Sequence, residues 1–293
     1  MHLVVETAAA TGLPIRDVSF RGEFRRLTGP AADVCGFWVS PPCAIVYAIP
    51  EFIYGMSANK IGMKTMLKFY YSGAPNPTKV ALFLEESGLP YQAIPVDTRK
   101  GDQHKPEYLA INPNAKVPAI VDGDAVVFDS NAILLYLAEK TGKFPPENTP
   151  KARGELLSWL MFVASGVGPY SGQAVHFRNY APEKLPYAIN RYVFEAKRHF
   201  GILDERLTKR RYTLGDIYTI VDMDVWGWAR LIPTVMGESA WDKFKNLKRL
   251  VDEISVRPAA QRAVALKDKH KFKTEMDGEA LAAMFPHLKE KVA

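Results

Sequence analysis

The chain has 293 residues, 47% hydrophobic and 24% charged, with 21 Pro and 20 Gly. This is ordinary globular usage at a length that suits two domains, and it excludes collagenous, coiled-coil and wholly disordered chains. The net charge of +6 favours anionic ligands without demanding a polyanion, and the only two cysteines, Cys35 and Cys43, exclude a disulfide framework and a four-cysteine zinc site.

Residues 1–65 lack sustained periodicity. They carry a basic stretch (Arg16, Arg21, Arg25, Arg26) and an apolar run over 34–54. Pro41, Pro42 and Pro50 interrupt that run and would remove helix hydrogen bonds that lipid cannot replace, so no membrane partner is expected. The basic stretch begins only at Arg16, too far in for a secretory signal. The segment reads either as a poorly ordered extension or as the product of a start assigned too early, with Met63 or Met66 the true beginning. A cytoplasmic protein is expected.

From Met66 the pattern becomes regular. Residues 67–71 (LKFYY) predict a strand, SGAPNP a turn, and 78–87 a helix with Val80, Leu82, Phe83 and Leu84 at helical spacing and Gly88 closing it. A strand follows over 91–96, a short helix over 106–111, then strands 117–121 and 125–128 joined through Asp122, Gly123 and Asp124. The next helix starts at Asp129 or Ser130, carries Ile133, Leu134 and Leu137 on one face, and ends at Gly142. The order βαβαββα predicts a mixed four-stranded sheet of thioredoxin type over 66–145.

KFPPENTP (143–150) reads as a linker. Beyond it, apolar periodicity over 151–177, 186–209, 219–236 and 241–270 predicts an α-helical bundle, with 271–293 a tail. The fold class is therefore α/β followed by all-α. Thr219 and Asp222 form a capping-box variant, with Tyr218 and Met223 at staple positions. Lys267, Lys269, Lys271 and Lys273 read as a solvated face. A single phenylalanine, Phe272, stands among them, too little for a stacking platform, so nucleic acid is not an expected partner. His104 and His176 show no ligand spacing, and no metal is expected.

Three local features bear on chemistry. Pro118 stands at a strand entry, where it cannot donate to the ladder. Asp129 and Ser130 stand at a helix N-terminus, which suits a carboxylate ligand and equally suits an ordinary cap. Asn76 precedes Pro77 and reads either as an N-cap or as a donor facing a ligand. The turn after the first strand holds no cysteine, so a reactive sulfur there must come from a ligand.

The two halves in this order, with the stretches APNPTKVALFLEESGLPY, NPNAKVPAIVD, FDSNAILLYLAEKTG, GPYSGQ, LPYAINRY and YTIVDMDVWGW, resemble the cytosolic glutathione transferases, and within them the bacterial Nu class. The resemblance covers about 66–265. It implies a homodimer that binds glutathione and reduces disulfides using two glutathione molecules per site. Conjugation of glutathione to electrophiles needs the same thiolate and is an alternative, as is a non-catalytic regulator or partner-binding module.

On that resemblance Asn76 donates to the glutathione thiolate. Val117–Pro118 is cis and presents the Val117 main chain to the peptide part of glutathione. Ser130 holds the γ-glutamyl carboxylate, Asp129 takes its ammonium, and Lys116 pairs with the glycyl carboxylate. Gln103 touches glutathione, or is a solvated loop residue. Arg191 approaches the second thiol, or forms an ordinary surface ion pair. Tyr170 and Phe177 are the favoured lining of a cosubstrate pocket, from a set that includes Trp159, Phe162, Tyr180 and Trp226. Two departures from the class stand out. Ala74 replaces a common threonine, leaving Ser72 or Tyr71 as substitute hydroxyls, and Asp129 replaces a common glutamate.

Overall fold

The computed structural model describes residues 66–289. The expectations for 1–65, with both cysteines and the apolar run, lie outside the described residues.

Strand β1 (Leu67–Tyr71) turns Leu67, Phe69 and Tyr71 to one face, where they are buried, and Tyr70 to the other, where it meets Tyr108 at 5.8 Å. It pairs in parallel with β2 (Tyr91–Pro95) and antiparallel with β3 (Ala119–Asp122), which forms a hairpin with β4 (Ala125–Phe128). The order is β2–β1–β3–β4. Helices α1 (Pro75–Ser87) and α3 (Ser130–Thr141) pack into the main core with the buried side of β1, and α2 (Pro106–Leu109) packs through Tyr108 against Tyr70. Both long helices end as the sequence reading expects, on glycines with left-handed φ: 68° at Gly88 and 66° at Gly142.

Helix α1 begins three residues before the predicted start. Pro75 and Pro77 both fall in its first turn, where a missing N–H breaks no helical bond. Asn76 is thus inside the helix, and the N-cap position belongs to Ala74.

In the helical half, the single stretch expected over 151–177 is divided. α4 (Pro150–Phe162) passes through a π-turn at 163–167 into α5 (Gly168–Val175), and a second π-turn covers 176–180. Pro169 supplies no N–H for the Ser165 carbonyl, and the backbone widens there. α6 (Pro186–Arg206) follows. α7 (Ile220–Ala229) starts with the expected capping box: the Thr219 side chain accepts from the first turn and Asp222 accepts the Thr219 N–H at 2.9 Å. α8 (Ile232–Met236), α9 (Lys245–Ser255) and α10 (Pro258–Ala265) complete the bundle. α9 buries Leu247, Leu250, Val251 and Ile254, the i, i+3, i+4, i+7 stripe of an amphipathic helix.

The two halves share one core, in which Phe83, Leu134 and Leu137 join Leu160, Phe200, Val221 and Trp226. α1 is tied to α10 and its approach by Arg262–Glu85 at 2.6 Å and Arg257–Glu86. The segment read as a tail continues into α11 (Gly278–Met284) and docks on the first half. The Lys273 N–H donates to Asp97 Oδ2 at 2.7 Å, and Arg99 Nη1 donates to the Lys273 and Thr274 carbonyls at 2.8 and 3.0 Å. Lys273 is therefore not part of a freely solvated face: its ammonium pairs with Asp277 at 2.8 Å. Among the described residues no helix is long and apolar enough to cross a membrane.

Candidate active site

β1 delivers the chain to α1 through Ser72, Gly73 and Ala74. With proline at 75 and 77, the first turn of α1 has one open main-chain donor, the N–H of Asn76, because the Thr78 N–H bonds the Ala74 carbonyl at 3.3 Å. The half-buried Asn76 side chain accepts at Oδ1 from the Trp228 indole N–H at 2.9 Å, and its Nδ2 donates to nothing within the described residues. The substitute hydroxyls fare differently. Tyr71 donates to the Leu266 carbonyl at 2.9 Å, and burial pushes its pKa up to about 12, so it is committed away from the loop. Ser72 is buried and accepts the Ala74 N–H at 3.3 Å, which leaves its own proton available inside the loop.

Beside β1, the Val117–Pro118 peptide is cis, and the β1–β3 ladder stops at the Tyr70–Ala119 pair, so the Val117 main chain stands outside it. At the N-terminus of α3, Asp129 has φ 72° and caps the helix, its Oδ1 accepting the Asn131 and Ala132 N–H groups at 2.9 and 3.2 Å. Positive φ at a non-glycine residue is a strained arrangement of the kind that concentrates at ligand sites. Ser130 is buried, and its hydroxyl donates to Asn131 Oδ1 at 3.1 Å.

These two pieces are joined by a buried polar network that the sequence reading missed. Lys79, one turn beyond Asn76, is 1% exposed and Asp224 is fully buried, and they pair at 2.6 Å. The same ammonium reaches Ser130 Oγ at 3.5 Å, while Asn131 Nδ2 donates to Asp224 Oδ2 at 2.6 Å and to the Leu160 carbonyl at 2.8 Å. Burial raises the Asp224 carboxyl to about 6 against the opposing pull of Lys79. α7 lies so close that a Cβ at Gly227 would meet Lys79 Cγ at 2.3 Å and the Pro75 carbonyl oxygen at 3.2 Å.

A second group lies on α5, the π-turn after it and α6. Tyr170 and Phe177 both contact Tyr192, the latter stacked at 5.2 Å. Arg191, next in sequence to Tyr192, is half-exposed and pairs with Glu195 at 2.7 Å, the surface-pair arrangement left open by the sequence. Trp226, one of the aromatics considered for a pocket, is 1% exposed and donates to Ser255 Oγ at 3.0 Å, which places it in the core. Lys116 is exposed and its ammonium has no partner among the described residues, while its carbonyl accepts from Tyr108 and Asn112.

Gln103 is not a solvated loop residue. It is buried, and its Nε2 donates to the Thr98 and Ala283 carbonyls at 3.3 and 3.0 Å, while Oε1 is buried without a partner among the described residues. His104 Nε2 also lies 2.9 Å from the Ala283 oxygen, an acceptor only, so that nitrogen carries the proton. The C-terminal segment reaches the helical half as well, through Phe285, 4.5 Å from the His176 ring. Burial, and then His287, lower the His176 pKa. A depressed histidine pKa gives stability that is present above the ordinary histidine value and lost as pH falls through the folded value. Protection of residues 278–288 against hydrogen–deuterium exchange, taken relative to the intrinsic exchange rate at each pH, is therefore expected to fall as pH drops from about 7.5 to about 5.5, and His176→Leu to flatten that response.

Among the described residues no cluster of metal-ligating side chains occurs. The missed residues left a faint trace in the sequence: Lys79 interrupts the apolar run of α1, and Asp224 interrupts IVDMDVWGWA. Trp228 left none, because nothing in a tryptophan's spacing says that its N–H meets a residue of the other half.

Residues 74–140 match the glutathione S-transferase N-terminal domain family, and residues 190–258 match the C-terminal domain family. The chain is 39% identical over 213 residues to the disulfide-bond oxidoreductase YfcG of Escherichia coli (strain K12), covering 68% of this chain and 94% of that protein. Among solved structures it is similar to a glutathione transferase family member from Pseudomonas fluorescens pf-5 with two glutathione bound, at 37% identity and TM-score 0.66, covering 69% of this chain and 94% of that one. It is also similar to a glutathione transferase from Pseudomonas putida with one glutathione disulfide bound per subunit, at 35% identity and TM-score 0.63, covering 68% and 90%.

Proposed function

Because this chain belongs to the glutathione S-transferase family, we propose that it is a glutathione-dependent disulfide-bond reductase whose nucleophile is the thiolate of a bound glutathione. Its βαβαββα half and its helical half are the two parts of the family's fold, and the domain boundary is placed at the 143–150 linker. One observation carries the reading. The first turn of α1 presents two donors without a partner among the described residues, the Asn76 Nδ2 and the Asn76 main-chain N–H, and those described residues contain no cysteine.

Stabilising a borrowed thiolate is within reach of those groups. Moving a thiol pKa from ~8.5 to ~6.5 takes about 2.7 kcal/mol. A hydrogen bond to a charged group contributes ~1.5–3 kcal/mol and a helix N-terminus ~0.3–1 kcal/mol. Neither a threonine at position 74 nor a protein base is required.

In the proposed cycle the bound thiolate attacks one sulfur of a disulfide. A glutathione mixed disulfide forms and the other sulfur leaves as a thiolate that takes a proton. A second glutathione thiolate attacks the glutathione sulfur of that mixed disulfide, releasing the second substrate thiol. Two glutathione molecules are oxidised to glutathione disulfide and one disulfide is reduced to two thiols, with protons conserved. The glutathione disulfide held by the Pseudomonas putida relative and the oxidoreductase named for Escherichia coli support this choice over conjugation.

In this reading the Val117 main chain pairs with the glutathione peptide like an added strand. The Ser130 N–H holds the γ-glutamyl carboxylate, joined by its hydroxyl as that proton turns from Asn131 Oδ1 to the ligand, Asp129 Oδ2 takes the ammonium, and Lys116 the glycyl carboxylate. Gln103 is buried beneath the Ala283 carbonyl and serves the site by anchoring the C-terminal segment on the glutathione-binding half rather than by touching glutathione. Arg191 serves the second glutathione with the N–H groups that Glu195 leaves free, and Tyr170 and Phe177 line the cosubstrate side. A cytoplasmic location is proposed with the family reading, and a homodimer because Val126 and Phe128 on the sheet-edge strand β4 are 48% and 42% exposed, the kind of apolar edge an interface covers.

Glutathione titration followed by reduction of a small glutathione mixed disulfide tests the reading. Rapid reduction is expected. Binding without turnover would make the protein a regulator, and activity confined to aryl halides would make it a conjugating enzyme. Ser130→Ala is expected to raise the glutathione KM about fivefold with kcat within about twofold, as loss of one uniform binding contact of about 1 kcal/mol requires. Steady-state kinetics with glutathione as the varied substrate measures it.

A further inference from the structure

We infer that Trp228 is a positioning residue for the reaction: its indole fixes the Asn76 carboxamide so that Nδ2, and not Oδ1, faces the sulfur. The inference rests on the reading that Asn76 holds the thiolate.

The argument begins with the chemistry of the two side chains. A carboxamide has a donor end and an acceptor end of nearly the same shape, so an asparagine can present either to a ligand. An acceptor turned to a thiolate repels it, and a donor turned to it stabilises it. An indole N–H can only donate. The 2.9 Å contact between Trp228 Nε1 and Asn76 Oδ1 therefore settles the orientation, because the flipped amide would set donor against donor. With Oδ1 held, both Nδ2 hydrogens stay free of protein partners among the described residues.

The indole is itself held. Trp228 is 8% exposed, at the C-terminal end of α7. A Cβ at Gly168 would lie 3.1 Å from its Nε1, and one at Gly172 would lie 3.8 Å from its Cη2, so α5 closes on the ring through two residues without side chains. At Gly227 the backbone of α7 approaches α1 closely enough that a Cβ would sit 3.2 Å from the Pro75 carbonyl oxygen. The second half of the chain thereby sets a group in the first turn of α1. This gives the helical half a role in thiolate formation that is separate from lining a cosubstrate pocket.

The test compares Trp228→Phe with Asn76→Ala in the full chain. The readouts are the pKa of the bound glutathione thiol, from the ultraviolet absorbance of the thiolate against pH, and kcat and KM for a glutathione mixed disulfide. Trp228→Phe is expected to raise the bound thiol pKa toward its free value and to lower kcat about fivefold near neutral pH, with the glutathione KM within about twofold. A ring that only filled space would leave the thiol pKa unmoved. If Trp228→Phe folds poorly, replacing Trp228 by its benzothiophene analogue keeps the shape and deletes the N–H, and the same shifts are expected. A thiol pKa that moves in Asn76→Ala and stays put in both Trp228 replacements overturns this inference and leaves the Asn76 reading intact. A pKa unmoved in Asn76→Ala overturns both.

Discussion

Asn76→Ala is expected to lower turnover of a glutathione mixed disulfide at least ~10-fold near neutral pH. Deleting a donor to a charged sulfur removes ~1.5–3 kcal/mol, equal to roughly 10–150-fold in rate. The loss is bounded because the substitution leaves the residue 76 main-chain N–H and the helix N-terminus in place. The pH dependence follows from the direction of the thiol shift. The wild-type site depresses the bound thiol pKa below ~8.5, so the variant's thiol ionises later, and the gap in turnover is widest near neutrality and closes above about pH 9. Folding should be nearly normal, since the side chain's one hydrogen bond among the described residues is from the Trp228 N–H, worth about 1 kcal/mol. Turnover unchanged at neutral pH, or a gap that does not close in alkali, removes Asn76 as the thiolate donor.

Legibility in the sequence followed the range of the interactions. β1, β4, the two C-terminal glycines and the Thr219 capping box were readable because each depends on residues a few positions apart. The start of α1 was misplaced for a local reason as well. Two prolines around Asn76 look like helix breakers, yet within a first turn they cost nothing. The π-turns after α4 and α5 were not readable, since apolar spacing does not register one extra residue per turn. Docking of the C-terminal segment on Asp97, Arg99 and Gln103 was also out of reach, because its partners lie on the far side of the chain.

The candidate site divides in the same way. Residue chemistry alone left Asn76 between a cap and a donor, and resemblance to a family tipped the choice. The structure adds what neither supplied: the cap is Ala74, the first turn has a single open N–H, and Asn76 and Ser130 are each held from α7, by Trp228 directly and by Asp224 through Lys79 and Asn131.

That dependence makes the Lys79–Asp224 pair the place where stability and binding can be separated. Lys79→Met is expected to destabilise the protein by about 3–5 kcal/mol, the usual consequence of removing one partner of a buried ion pair. Methionine keeps most of the stem that packs against Gly227, so the cavity contribution is small and the loss of the ammonium opposite a buried acid, which must then take up a proton, dominates. Burial already raises the Asp224 carboxyl to about 6, and without the ammonium it rises further, so in the variant this group is protonated when folded and ionised when unfolded. A folded-state pKa above the unfolded value gives stability that is present at low pH and lost as pH rises through it. The deficit of Lys79→Met should therefore shrink as pH is lowered from about 7 to about 5. The double variant Lys79→Met/Asp224→Leu replaces both charges by apolar groups and should recover most of the loss, as buried pairs replaced whole are often neutral. Its glutathione KM should still be raised, because Ser130 has lost the ammonium that reaches its hydroxyl and Asn131 its carboxylate anchor. Urea unfolding at fixed protein concentration across that pH range measures the first two effects and steady-state kinetics the third. A Lys79→Met variant within ~1 kcal/mol of wild type would mean that the pair is solvated, and a fully recovered KM in the double variant would mean that Ser130 is oriented by its own backbone alone.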